Sequence, residues 1–319
     1  MEWLNPYNIQ VVTFIILNCI LAISIFITLA TGQLSLGHAG FMSIGAYTTS
    51  ILSKNADLPM FVAILAGALM AGLIALLIGA PTLKLHGLYL AIATLGFGEV
   101  VRVILLNMEI TNGALGITGL KSLGTYIYDG MKAVGITSQS LGLSVPVIKS
   151  LSTLVFLFLL FLVVLFLTLR LNSSRLGRAF EAIRADETAA RAMGIQVNYY
   201  KMLAFIIGSV LAGLCGGLFA HITTAITPTD FNYHKVVEIL SFAVIGGTEV
   251  VWGALFGAIA LTALPEVLRG LAEYKMIFYG AIMVLVMAVR PRGLIGSDTL
   301  QKLFRRGSKK QNEQPKGVE

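Results

Sequence analysis

Long apolar runs broken by short polar stretches dominate this chain, and most runs approach the ~20 residues that cross a hydrocarbon core. Read by hydropathy, the candidate spans are 9–30, 37–52, 60–80, 85–106, 148–169, 202–226, 236–250, 251–268 and 276–289. Backbone in lipid is satisfied only by helices or closed barrels. The predicted fold is therefore all-α: a polytopic transmembrane bundle of about nine spans, with a range of eight to ten. It forms one membrane domain over 1–297, interrupted by a charged loop at 170–201 and followed by a basic tail at 298–319, expected to be cytoplasmic and disordered. The first run is too long for the apolar region of a signal peptide and follows MEWLNPYN, which has no Lys or Arg, so it is expected to remain as a span.

Composition agrees with the pattern: 56% of the 319 residues are hydrophobic and 12% are charged. The net charge of +7 does not point to nucleic acid, because Lys and Arg gather in loops and in the tail. If the 170–201 loop and the tail share the cytoplasmic side, an even number of crossings separates them, and nine crossings put the N-terminus outside. Fifteen of the 23 basic residues then lie inside, seven outside and Arg102 in the membrane, in accord with the positive-inside rule. Cys19 and Cys215 fall within apolar runs and act as small hydrophobes, with neither a disulfide scaffold nor a metal site implied. The longest external loop, 107–147, is rich in Gly, Thr and Ser; it reads either as a surface excursion or as a docking face for a partner that delivers substrate.

The island RLNSSRLGRAFEAIRADETAARAMGIQVNYYK at 170–201 is the one long charged stretch between apolar runs. Phe180, Ile183, Ala190 and Met193 share one side of a helix, opposite the charges, and Glu187 with Arg191 forms a favourable i, i+4 pair before a helix stop at Gly194. A short amphipathic helix follows. It reads either as an interfacial anchor in anionic headgroups or as a coupling helix whose apolar ridge seats in a groove of another protein. The carboxylates Glu181, Asp186 and Glu187 favour the second, since a lipid anchor gains nothing from them. No GxxxxGK[ST] run is present, and no Gly is directly followed by Lys, so a phosphate-cradling loop is missing.

The GQLSLGHAG segment joins two apolar runs through Gly32, Gly37, Gly40 and Gly45, which permit close helix approach or a break in the helix. Such breaks often line a transport path, which makes Gln33, Ser35, Gly37, His38 and Gly40 path candidates; tight packing without solute contact is the competing reading. Glu99 and Arg102 sit three apart within a span, where each unpaired charge costs about 2.5–3.5 kcal/mol at a helix centre. They are expected to pair, either to orient the helix or to bind the ammonium and carboxylate of a solute. Gly208, Ala212 and Gly216 share one helix face, Gly213 and Gly217 a neighbouring one, and Gly253 and Gly257 repeat the spacing, as helix contacts do. Among the four histidines none stands beside a nucleophile, so no catalytic constellation emerges and an enzyme is not expected.

Five stretches in register, TGQLSLGHAGFMSIGAY at 31–47, LKLHGLYLAIATLGFGEVVR at 83–102, the TNGALGITGL loop, GRAFEAIRADETAARAMGI and RPRGLIG at 290–296, resemble the LivM-type permeases of bacterial branched-chain amino acid ABC importers. The likeness covers about residues 25–297. It implies a multi-pass protein of the bacterial inner membrane beside a paralogous LivH-type permease, two cytoplasmic ABC ATPases that bind the ATP, and a periplasmic substrate-binding protein, with lipid around them. It places Glu181, Ala182, Arg184, Asp186, Ala190 and Gly194 in the loop that touches the ATPases, with Arg178 and Glu187 in the same loop. The general importer pattern, EAA with a Gly four residues on, is only loosely met, because EAIRAD stands here and Gly194 follows much later. Inward transport of leucine, isoleucine or valine is the implied activity; urea or short amides are the alternative for a permease of similar sequence. A self-sufficient secondary transporter would need several buried acids as ion sites, and this chain offers chiefly Glu99. A non-transport membrane scaffold is the third reading, disfavoured by the glycine-broken segment.

Overall fold

The computed structural model describes residues 5–56, 58–133 and 144–267, together with 277, 280, 281 and 284. The last expected span at 276–289, apart from those four positions, lies outside the described residues, as do RPRGLIG, the basic tail and 134–143 of the long loop. The helices are α1 (Pro6–Leu29), α2 (His38–Asn55), α3 (Met60–Thr82), α4 (Leu88–Asn107), α5 (Leu123–Ala133), α6 (Val145–Ser173), α7 (Arg175–Ala185), α8 (Glu187–Ala192), α9 (Val197–Thr223), α10 (Tyr233–Gly246) and α11 (Val251–Val267). Two short strands, β1 (Ile117–Thr118) and β2 (Ala225–Ile226), pair antiparallel at one end. The all-helical membrane bundle read from hydropathy is what the chain forms.

Five of the described helices, α1, α3, α4, α6 and α9, are long and apolar enough to cross a membrane. The other expected spans differ in kind. At 37–52 the structure has α2, which carries His38, Ser43, Thr49 and Ser50 and is enclosed by its neighbours. At 236–268 it has α10 and α11, of 14 and 17 residues, parted at Gly247 where φ is +119°. A hydropathy window registers apolar length but does not distinguish a lipid surrounding from a protein one.

Tertiary contacts sort the helix ends into two sets. At one end, Lys54 Nζ donates to Thr118 O at 2.9 Å, His221 Nδ1 lies 2.9 Å from Lys121 O, and Tyr7 hydroxyl bonds Glu266. Gln10 and Thr13 border a cavity with Ser122, Lys149 and His221, which puts the start of α1 there too. At the other end, Gln33 Nε2 donates to Lys201 O at 3.0 Å, His86 lies 3.8 Å from Glu187, and Arg184 donates to Thr248 O at 2.7 Å. The chain thus alternates between ends through α1, α2, α3, α4, α6, α9, α10 and α11, and the 107–133 loop and the 170–201 island fall at opposite ends, as the parity argument requires.

Small residues set how closely the helices approach. α2, α3 and α9 make the most extensive contacts in the bundle. A Cβ on Gly45 would overlap the backbone of Gly213, and one on Gly216 would overlap the carbonyl of Met42. Both glycine faces of α9 are occupied: Gly208 meets Ser24 of α1 and Gly216 meets α2, while Gly213 meets Ala68 and Ala71 of α3 and Gly217 meets Thr49 of α2. Gly253 and Gly257 meet Gly246 and Phe242 in the same way across α10 and α11. Backbones at this separation gain dispersion contacts that larger side chains would prevent. α1 runs through the middle, buried from Ile16 to Leu29, against α6, α9, α10 and α11.

Candidate translocation and coupling sites

The island folds as a helical hairpin laid across the bundle end. Ser174 caps α7 by accepting from Leu176 N and Gly177 N, and Asp186, in extended conformation, caps α8 by accepting from Thr188 N and Ala189 N at 2.8 and 2.9 Å. The single amphipathic helix expected over this stretch is therefore two helices broken at Asp186. A capping carboxylate competes well with helix continuation because it satisfies orphan N–H groups and favours the positive helix end.

The apolar ridge also differs from expectation. Phe180 is 1% exposed, Ile183 and Ala190 are buried, and they pack within this chain, Phe180 against Tyr200 and Ile183 with Ala190 against Val197. Only Met193, at 83% exposure, turns outward. A groove on another protein cannot hold a ridge that is already covered, so Ala190 is a packing residue here. The charges Arg175, Arg178, Glu181, Asp186 and Arg191 are exposed, together with small residues such as Ala185, Ala189, Ala192 and Gly194 and the larger Met193 and Tyr199. Gly194 takes φ +82° and ends α8, with Ile195 N donating to Ala190 O.

Three island charges, Arg184, Glu187 and Lys201, are tied inward. Arg184 donates from Nη1 to Thr248 O at 2.7 Å and from Nη2 to Thr248 Oγ1 at 3.0 Å, clamping α7 to the turn between α10 and α11. Glu187 accepts from Lys201 Nζ at 2.5 Å and Arg191 Nη2 at 2.6 Å, with His86 Nε2 at 3.8 Å. Burial opposes ionisation of Glu187, but the Lys201 hydrogen bond and charge, with Arg191 and His86 behind them, outweigh it and hold the carboxyl below its usual range. Ala182 is half-buried. Beside the hairpin opens a cavity of about 490 Å³ bordered by Phe26, Asn172, Glu181, Arg184 and Glu249. Sequence reading found neither Thr248 nor Lys201 as partners, since separations of 64 and 14 residues carry no periodic signal.

The glycine-rich segment is non-helical from Ala30 to Gly37, between α1 and α2. Gly32 has φ +75°, which only glycine adopts readily, and the turn it makes sits against Arg184. Gln33, Ser35 and His38 are each 1–2% exposed. Gln33 Nε2 donates to Thr31 Oγ1 at 2.7 Å and to Lys201 O, Thr28 Oγ1 lies 3.2 Å from His38 Nε2, and Leu36 N donates to Thr94 Oγ1 at 2.9 Å. Thr94 thus satisfies a backbone N–H that has left the helix inside the bundle, while Gln33 ties the segment to a carbonyl of α9. Gly37 packs on Thr94, and a Cβ on Gly40 would come within 2.9 Å of Gly98 Cα. This chain alone encloses all five path candidates of the segment.

Glu99 and Arg102 do pair, through Glu99 Oε2 and Arg102 Nε at 2.8 Å, and their side chains are 40% and 26% exposed on an outward part of α4. The described residues hold no group of three or more His, Cys, Asp or Glu suited to a metal ion.

The sequence matches, over residues 7–287, the family described as "Branched-chain amino acid transport system / permease component". It is 34% identical to the high-affinity branched-chain amino acid transport system permease protein LivM of Escherichia coli K12 over 95% of this chain and 73% of the relative. The LivM protein of Salmonella typhimurium LT2 is 33% identical over the same shares. The permease protein LivH of Salmonella typhimurium LT2 is 28% identical over 56% of each chain. No solved structure matches significantly.

Proposed function

Because this chain belongs to the family of branched-chain amino acid transport permease components, as a LivM-type multi-pass membrane protein, we propose that it is one transmembrane half of a binding-protein-dependent ABC importer. In this reading it moves leucine, isoleucine and valine inward across the bacterial inner membrane, beside a LivH-type permease. Two separate ATPase subunits hydrolyse the ATP, and a periplasmic protein delivers the solute to the opposite end, where the 107–133 loop lies.

The observation that carries the reading is the α7–α8 hairpin. It is pinned to the bundle by Arg184 and Glu187, and it turns Arg178, Glu181 and Asp186 outward. A surface rigidly joined to helices at both of its ends transmits a displacement into the bundle, whereas a loosely held anchor would absorb it. Arg184 ties the hairpin to α10 and α11, and Glu187 ties it to α9 through Lys201. A push on the exposed charges therefore reaches three bundle helices.

Labelled-leucine uptake in a strain deleted for this gene, with and without the gene restored, tests the substrate. Loss and recovery of uptake of all three branched-chain amino acids is expected. Unchanged amino acid uptake together with lost uptake of urea or a short amide would refute the substrate and keep the permease.

A further inference from the structure

Three of the apolar helices, α3, α4 and α6, turn broad faces away from the described bundle. Their chemistry differs. The α3 face, with Leu65, Leu69, Leu73 and Leu77, has no ionisable residue anywhere in Met60–Thr82, and α6 has none from 150 to 169. Those faces suit lipid. On α4 the exposed positions include Ile92, Gly96, Val100, Val103 and Ile104, and among them the half-buried Glu99 continues the stripe of Ile92, Gly96 and Val103, with Arg102 beside it. Glu99 lies eight residues from the helix end at Asn107, about 12 Å along the axis.

An ion pair at that depth, half-open on the outward side, is poorly placed against hydrocarbon. Among the described residues, the Glu99 Oε2 to Arg102 Nε contact is the pair's one polar contact, so Glu99 Oε1 and the Arg102 Nη groups keep unused capacity. One turn away, Gly96 has no atom within 4 Å of where a Cβ would stand, so the stripe opens into space at its centre. The enclosed segment 33–40 offers no such opening.

We infer that the α4 stripe centred on Glu99 lines the solute path, and that Glu99 and Arg102 together recognise the ammonium and carboxylate of a zwitterionic amino acid. Glu99 accepts from the ammonium, and the planar Arg102 fork donates to the carboxylate. Gly96 leaves room for the solute, whose apolar side chain extends along the stripe toward Ile92. With no solute present the two residues close on each other, so no unpaired charge stands in the path. Binding exchanges that pair for two new ones, which keeps the well shallow and lets the solute leave. This inference rests on the transport reading above and names the residues that would serve it.

The test uses the assembled transporter in membrane vesicles, with Cys19→Ala and Cys215→Ala, and single cysteines Gly96→Cys and Leu69→Cys, exposed to a water-soluble thiosulfonate. Gly96→Cys should react at least tenfold faster than Leu69→Cys, which lies on the open α3 face at 60% exposure. Saturating leucine should slow the reaction at least threefold, whereas 3-methylbutylamine, which lacks the carboxylate, should not. Adding Glu99→Gln and Arg102→Gln should abolish the protection and leave Gly96→Cys reactive. If Gly96→Cys is as inert as Leu69→Cys, or if leucine still protects after both substitutions, the inference is overturned. Should the double variant not assemble, the comparison of Gly96→Cys with Leu69→Cys decides alone. Leucine uptake by the unsubstituted transporter in the same vesicles separates the two levels: uptake fails only with the substrate reading, while intact uptake with an inert Gly96→Cys sinks this inference.

Discussion

Gly213→Leu should destabilise the protein more than Leu214→Ala, its neighbour on α9. A Cβ at position 213 would overlap the Cβ of Ala71, with Ala68 Cα and Gly67 O both at 3.3 Å. Because Ala71 Cβ is fixed directly to the α3 backbone, no rotamer change removes the overlap. Carbons are best placed about 3.5–4.0 Å apart, so α3 and α9 would have to separate by roughly 1 Å or more at this crossing. A radial gap of that size forfeits a quarter to a half of each dispersion contact along the seam, and Gly45 of α2 crosses at the same point. Overpacking typically costs about 1–3 kcal/mol, and the clash with a Cβ fixed to the α3 backbone puts this variant near the top of that range. Leu214 is only partly buried against the core, so its truncation should cost less than the about 2–5 kcal/mol of a fully buried leucine, near 1–2 kcal/mol. The assay is the apparent melting temperature of the detergent-purified complex, ranked within one scan rate because unfolding of such assemblies is seldom two-state. Equal melting of Gly213→Leu and wild type, or greater loss with Leu214→Ala, would show that this face is not the α3 contact.

Glu181→Lys should leave membrane levels normal and abolish substrate-stimulated ATP hydrolysis, whereas Arg184→Glu should also lower membrane levels, because it breaks the Thr248 clamp; normal levels for both would mean the clamp does not hold the hairpin. The carboxyl of Glu187 is depressed, so its stabilisation is present above its ordinary pKa of 4.5 and is lost as pH falls through the lower folded value. The melting difference between wild type and Glu187→Gln should accordingly be full at pH 7 and shrink below about pH 4.5; a difference independent of pH would assign the Lys201 contact no electrostatic weight. An impermeant thiol reagent on intact spheroplasts should label a cysteine at Lys121 and spare one at Ser174, and the reverse pattern would invert the orientation.

Hydrophobic patterning by itself determined the class of this protein, because apolar runs near bilayer length admit only backbone that satisfies itself. It likewise set the opposed ends, since the parity of spans and the distribution of Lys and Arg follow from order along the chain. The glycine faces of α9 were legible too, because small residues at i, i+4 imply a close partner, though not which one. Tertiary structure alone decided the rest. α2 has the length of a span but lies enclosed by protein, and one-dimensional hydropathy has no term for what surrounds a helix. The apolar ridge of the island reads the same whether its cover comes from another protein or from this chain, and only packing shows Phe180 and Ile183 already covered. Asp186 reads as an island charge until its neighbours' N–H groups are placed around it. Arg184 with Thr248, and Glu187 with Lys201, are joined by folding rather than by spacing. Conversely, Glu99 and Arg102 are neighbours by helical spacing in any fold, but which way they face depends on how the rest of the bundle packs against α4.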